Sequence, residues 1–241
     1  MMPNSNPNAS AVTVSVIVPA YNESATIITL LGIVNEQRIE GFTFEVVVVD
    51  DGSTDDTGAL LKKNPHLYSR LVTMECNAGK GAAVIAGLKV ASGDYVLFQD
   101  ADLEYDPKDY RGLLFPVAKF NADIIIGSRF IAPAYTRVHY FWHKLANHCI
   151  TLLFNMLYNT TFTDIYSCYL LYRRSLVDPH KLRAFGWDQH AEILAKAVLR
   201  STTIYETPIT YHGRSYAEGK KIKWHHVFAV VARIFRERFG A

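Results

Sequence analysis

Cysteine is scarce in this chain: three residues in 241, Cys76, Cys149 and Cys168, with no CxxC spacing. That excludes a disulfide framework and a thiolate zinc site, and it fits a reducing compartment. Long apolar runs are missing too. No stretch reaches the ~18–20 apolar residues of a membrane span, so the sequence is expected not to cross a bilayer. The opening MMPNSNPNAS has neither a basic start nor an apolar centre, so no signal peptide is expected there; residues 1–11 read as a disordered tail. No internal repeat and no GxxxxGK[ST] phosphate loop occurs. ECNAGKGAAVIAG imitates a dinucleotide fingerprint, but Val84 fills the third small position and the motif follows the third strand, not the first. An EF-hand loop opening at Asp51 fails as well, because Asp56 and Lys62 replace its Gly and closing Glu.

What is present begins with composition. Hydrophobic residues make up 49%, enough for one large or two small domains with a real core. Net charge is +2 but unevenly spread: residues 1–128 hold nine Lys and Arg against sixteen Asp and Glu, residues 129–241 sixteen against seven. An acidic, metal-binding half beside a half that meets anions is the expectation.

Hydrophobic patterning gives an alternation of strands and helices. VTVSVIVP ends in Pro19, and residues 21–37 then read as a helix. FEVVVV, residues 44–49, is nearly all β-branched, as in a strand buried on both faces. Further strands are expected at 71–75, 95–99, 123–126 and 203–206, with helices at 81–91, 137–159 and near 192–199. This is an α/β pattern with a mostly parallel central sheet flanked by helices. Residues 227–239 alternate apolar residues with Arg233, Arg236 and Arg238, an amphipathic basic helix suited to a membrane surface or to packing on its own domain.

Polar clusters follow three strands: PAYNES, DDGSTDDT and DADLE. In parallel sheets ligands gather at the carboxyl ends of strands, so three clusters on one edge point to a site. The last cluster carries the clearest chemistry. Asp100, Asp102 and Glu104 stand at alternate positions directly after the apolar Tyr95-Val96-Leu97-Phe98. Carboxylates at that spacing repel one another, and a hard divalent cation, Mg²⁺ or Mn²⁺, offsets the repulsion with open positions left for phosphates. A His139/His143 pair at i,i+4 has no nearby acid and reads as a polar helix face.

VSVIVPAYNES, VVVVDDGSTDDT, NAGKGAAVIAGL and GDYVLFQDADLEYDP, in this order and spacing, resemble the family-two inverting glycosyltransferases with the GT-A (nucleotide-diphospho-sugar transferase) fold. Within that family the chain is similar to polyprenyl-phosphate and dolichyl-phosphate mannose and glucose synthases. The likeness runs from about Val12 to about Trp224. It implies a glycosyltransferase domain over 12–224, with a nucleotide-sugar and metal half at 12–128 and an acceptor half at 129–224, followed by an interfacial helix at 225–241. It also implies site roles. Pro19, Tyr21, Glu23, Asp50 and Asp51 would hold base and ribose, with Lys80 and Asp100 near the nucleotide. Asp100, Asp102 and Glu104 would carry the metal on the diphosphate; the family often has Gln at position 104.

On the acceptor side the resemblance implies that Arg129 and Arg137 contact a lipid phosphate, helped by His143 where some relatives have Ser. Arg214, Lys220 and Lys221 in YHGRSYAEGKKIKW would clamp phosphates from a mobile loop, and Asp102, Arg129 and Arg214 would act on the reacting groups. Many relatives have Lys where this chain has Leu170. The expected reaction is one inverting displacement moving a hexose from GDP-mannose or UDP-glucose to a polyprenyl phosphate. The enzyme would be peripheral on the cytosolic membrane face, with no nucleic-acid partner. A phosphate acceptor is already anionic, its second pKa being about 6, and needs little base. The alternative, transfer to a sugar hydroxyl, needs one, with Asp164 or Glu192 as candidates. A non-catalytic nucleotide-sugar-binding protein would not need the intact DxD, Lys80, Arg129 and Arg214 together.

Overall fold

The computed structural model describes residues 11–131, 141–213 and 226–240, without the side chains of His143 and His226. Residues 1–10 of the tail expected at 1–11, and Arg137, His139, Arg214, Lys220 and Lys221, lie outside the described residues. Seven strands form one sheet in the order β3-β2-β1-β4-β6-β5-β7. They are β1 (Val12–Ala20), β2 (Phe42–Asp50), β3 (Arg70–Thr73), β4 (Tyr95–Phe98), β5 (Ile124–Ser128), β6 (Leu170–Arg173) and β7 (Ile204–Pro208). The helices are α1 (Ile27–Glu36), α2 (Thr57–Lys63), α3 (Lys80–Val90), α4 (Tyr110–Phe120), α5 (Phe141–Tyr158), α6 (Gln189–Val198) and α7 (His226–Phe239). The α/β pattern expected from the sequence, a mostly parallel sheet flanked by helices, is the observed one.

Val14–Val18 of β1 and Val46–Val49 of β2 are buried throughout, because helices cover both faces of the sheet. α1 contributes Ile27, Leu30, Leu31 and Val34, one stripe at helical spacing. α3 lies against β1 and β2 so closely that a Cβ on Gly87 would stand 2.7 Å from Ile17 Cγ2.

Only β6 runs against the others. It pairs antiparallel with β4 (Val96 opposite Tyr172) and with β5 (Ile125 opposite Leu171). This reversal decides what meets at the ligand edge. Loops after β1, β2, β4, β5 and β7 arrive there by their carboxyl ends, and β6 arrives by its start.

Two local expectations change. The first helix starts at Ile27, not near Tyr21. Asn22 has φ +54°, and its side-chain oxygen accepts from Thr54 N (2.9 Å), which holds residues 21–24 as a loop against the next turn. The sequence reading has no element between 105 and 123, whereas α4 lies there with Pro116 inside it.

α7 is docked on its own domain. Val230 and Ile234, one helical turn apart, are buried, worth about 1.5–3 kcal/mol each by transfer. The Tyr158 hydroxyl donates to the Ile234 carbonyl (3.0 Å), and Arg233 pairs with Asp188 (2.9 Å) and Lys196 with Glu237 (2.6 Å). Arg233 is thus turned inward, as packing on its own domain requires, while Arg236 and Arg238 remain exposed. Among the described residues no helix is long and apolar enough to cross a membrane.

Candidate active site

An outer cleft of about 320 Å³ opens along the ends of β1 and β2, lined by Pro19, Tyr21, Glu23, Asp51, Gly79 and Lys80, with Asp100 and Asp102 at its inner end. Asp51 builds its floor. The carboxylate accepts from Ala78 N (2.9 Å) and Gly79 N (3.0 Å), and burial holds its pKa above the ordinary carboxylate value despite those bonds. Gly52 makes the turn possible: its φ is +64° and a Cβ there would stand 2.6 Å from the Cys76 carbonyl carbon. Gly81, half of the imitation fingerprint, lies where a Cβ would meet the Phe185 backbone at 2.5 Å. Its role is close approach of α3 to the chain before α6.

Asp50 departs from the expected set. It is buried, its carboxylate accepts from Ser53 N (3.0 Å), and it does not line the cleft. It braces the Gly52 turn from beneath.

An inner chamber of about 130 Å³ lies behind the cleft and shares Pro19, Lys80, Asp100, Asp102 and Trp187 with it. Lys80 Nζ lies 2.5 Å from Asp100 Oδ1. Burial pulls the Lys80 pKa down, but the Asp100 carboxylate more than offsets this and holds the ammonium above its ordinary range. Asp102 Oδ1 accepts from Glu104 N (3.1 Å), across a turn in which Leu103 takes φ +62°, an unfavourable value for such a side chain. Glu104 Oε2 accepts from the Tyr211 hydroxyl (2.7 Å), and its carbonyl from His212 N (2.9 Å). The three carboxylates share one recess, yet among the described residues no three His, Cys, Asp or Glu side chains are grouped to hold a metal. Of the expected trio, Glu104 is engaged by the Tyr211 hydroxyl, while Asp100 and Asp102 border both recesses.

Beneath this turn sits Gln99, fully buried. Its oxygen accepts from the Tyr110 and Tyr169 hydroxyls (both 2.8 Å), and its nitrogen donates to the carbonyls of Asp100 (3.0 Å) and Tyr105 (3.4 Å). One amide therefore anchors the loop that carries Asp100 and Asp102.

Arg129 lines the chamber's far wall. Its Nε and Nη2 donate to the two oxygens of Asp164 (2.7 and 2.8 Å), a bidentate pair. Asn147 Nδ2 also donates to Asp164 (3.0 Å). Burial alone would raise the Asp164 pKa; the Arg129 guanidinium outweighs it and keeps the carboxyl ionised below its ordinary value. Glu192 is buried beneath Arg183 N (2.9 Å) and Ala184 N (2.7 Å), which donate to it. Neither candidate base lines the chamber. His143 lies on α5.

The Glycosyl transferase family 2 profile matches residues 15–180. The chain belongs to that family. It is 29% identical to a dolichol-phosphate mannosyltransferase of Pyrococcus furiosus over 226 residues, covering 92% of this chain and 63% of that protein. It is 28% identical to a dodecaprenyl-phosphate galacturonate synthase of Rhizobium johnstonii, covering 89% and 63%. The family 2 chain thus spans less than two thirds of those relatives. A glucosyl-3-phosphoglycerate synthase of Mycobacterium tuberculosis, solved with Mn²⁺, UDP and glucosyl-3-phosphoglycerate, superposes with a TM-score of 0.67 at 22% identity, over 94% of this chain and 80% of that one.

Sequence reasoning passed over four residues that the fold of this family 2 chain brings to the chamber: Tyr166, Trp187, Gln189 and His190. Tyr166 and its neighbours arrive because β6 is reversed; Gln189 and His190 open α6, and Trp187 lies just before it. Lys80 Nζ stands 5.5 Å from the Trp187 ring centroid. The available signal was GWDQH, polar residues at a helix start following a glycine.

Proposed function

We propose that residues 12–224 are the catalytic domain of a glycosyltransferase that moves a hexose from a nucleotide sugar, GDP-mannose or UDP-glucose, onto a polyprenyl phosphate. The observation that carries this reading is the pair of recesses meeting at Lys80, Asp100 and Asp102. The outer cleft suits the nucleoside, the shared residues the diphosphate and the inner chamber the hexose.

Asp100 and Asp102 offer hard oxygen donors in one recess, and Lys80 already sets a cation against Asp100, so the donor set fits Mg²⁺ or Mn²⁺. When bound, such an ion supplies Lewis-acid stabilisation of the departing diphosphate. Lys80 adds positive charge beside it. Asp164 holds the Arg129 guanidinium at the chamber wall, where it orients an acceptor phosphate. That acceptor is its own nucleophile, which agrees with the burial of Asp164 and Glu192 under other donors. The same two residues count against a hydroxyl acceptor.

A lipid acceptor requires access from a membrane surface. α5 exposes Trp142, Leu145, Leu152 and Met156, and α7 exposes Phe235 and Phe239. We read both helices, with basic residues 225–241, as a peripheral contact with the cytosolic face. The test is a panel of radiolabelled nucleotide sugars with a short polyprenyl phosphate and Mg²⁺ or Mn²⁺. Label should pass to the organic phase; label passing only to soluble glycans would overturn the lipid-phosphate acceptor.

A further inference from the structure

Two buried polar atoms on residues of the inner chamber's wall are left without a hydrogen-bond partner by the fold: His190 Nε2 and Gln189 Oε1. Both residues line the chamber, and they are only 8% and 4% exposed. A buried polar group without a partner costs about 1–3 kcal/mol. Two in succession, at the start of one helix and on residues that line one cavity, mark a place where a ligand completes the bonding. Packing does not explain them, since His190 is flanked by the Phe98 and Tyr166 rings (both 6.3 Å between centroids), which need no polar neighbour.

The chamber's size and charge narrow the ligand. Its volume of about 130 Å³ is close to the ~150 Å³ cavity that holds a benzene ring, so a six-membered ring fits. Trp187 borders both recesses and offers a flat apolar face. The cations at the chamber are already matched, Lys80 by Asp100 and Arg129 by Asp164. His190 adds no charge: burial, reinforced by Lys80, brings its pKa down to about 4, so the ring is neutral at physiological pH. Among the described residues, a ligand carboxylate entering here meets Asp102 and Glu104, and with the proposed ion bound the carboxylates and the donor diphosphate still outweigh the positive charge.

We propose that His190 Nε2 and Gln189 Oε1 hydrogen-bond to hydroxyls of the transferred pyranose, and that this pair selects a neutral hexose over a hexuronic acid. The inference rests on the reading of the inner chamber as the sugar site. Hydroxyls suit both atoms, since each donates and accepts, and a neutral imidazole serves either way by tautomer. A site built to hydrogen-bond a hydroxyl rejects strongly a ligand that leaves its polar atoms unpaired.

The experiment measures binding without any acceptor, for wild type, His190→Leu and His190→Gln. The probes are UDP-glucose, GDP-mannose, UDP-glucuronic acid, and free UDP and GDP. In His190→Leu the preferred nucleotide hexose should weaken about 10–100-fold, while the matching free diphosphate changes less than about twofold. His190→Gln, which keeps a polar group, should recover most of the loss. Wild type should bind UDP-glucuronic acid no better than UDP.

Equal changes for nucleotide sugar and diphosphate would overturn the proposal, as would unchanged sugar binding in His190→Leu. Tight glucuronate binding by wild type would overturn its hexose selectivity. Because no acceptor is present, failure of the lipid-phosphate reading leaves these outcomes intact. Failure of wild type to bind any nucleotide sugar would remove both.

Discussion

Arg129 and Asp164 form a closed unit at the chamber wall: two parallel hydrogen bonds of 2.7 and 2.8 Å join them, and the Asp164 side chain is wholly excluded from solvent. Removing one member of such a buried pair leaves the other charge stranded, at about 3–5 kcal/mol. Asp164→Ala should therefore lower stability by that amount in urea unfolding. The double variant Arg129→Met/Asp164→Leu should recover most of the stability and none of the transfer. Recovery of transfer as well would show the pair to be structural only.

Asp102 and Glu104 should separate in the same assay. Asp102→Ala is expected to leave the urea midpoint nearly unchanged, to lower turnover by at least ~10²-fold, and to weaken Mn²⁺ binding in calorimetry. Glu104→Gln should retain turnover within about tenfold, because that carboxylate is engaged by the Tyr211 hydroxyl. Normal turnover in Asp102→Ala would sink the metal assignment; collapse in Glu104→Gln would restore the third ligand.

Acid should reveal His190. Its pKa is about 4 in the fold against an ordinary 6.5. Above pH 6.5 both folded and unfolded chains hold it neutral, so it adds no pH dependence. As pH falls from 6.5 towards 4, the unfolded chain takes a proton that the native chamber refuses, and stability falls by up to about 3 kcal/mol. Urea midpoints recorded across that window should slope less in His190→Gln than in wild type. Identical slopes would mean the imidazole is not buried neutral.

The exposed faces of α5 and α7 can be tested without unfolding the domain. Trp142→Ser, Phe235→Ser and Phe239→Ser alter exposed positions and should each change stability by no more than about 0.5 kcal/mol. Together they should reduce co-sedimentation with anionic vesicles several-fold. Ile234→Ala should instead cost about 2–5 kcal/mol, as a core deletion. Vesicle binding that survives the triple substitution would remove the interfacial reading.

Much of this was legible in the sequence, for identifiable reasons. The β-branched run of β2 and the polar clusters after β1, β2 and β4 announce a parallel sheet with its ligand edge, and DADLE announces acids with a purpose. Other features depend on contacts that no local pattern encodes. Gln99 looks like the last residue of a strand until Tyr110 and Tyr169 close on its oxygen. His190 and Gln189 gain meaning only when the chain before α6 is carried to the chamber. Glu104 repeats the spacing of Asp100 and Asp102, yet Tyr211, more than 100 residues on, redirects it.

The reversed β6 also governs how the gene can be cut. It is contributed by the basic second half, yet it is wedged between β4 and β5 of the acidic first half. A fragment ending at residue 128 would leave β4 and β5 facing one another across a missing strand, each with a raw row of amides and carbonyls. The two halves of opposite charge are therefore no pair of exchangeable cassettes. Domain swaps with other family 2 chains should splice outside the sheet, and a split at the charge boundary should yield aggregates.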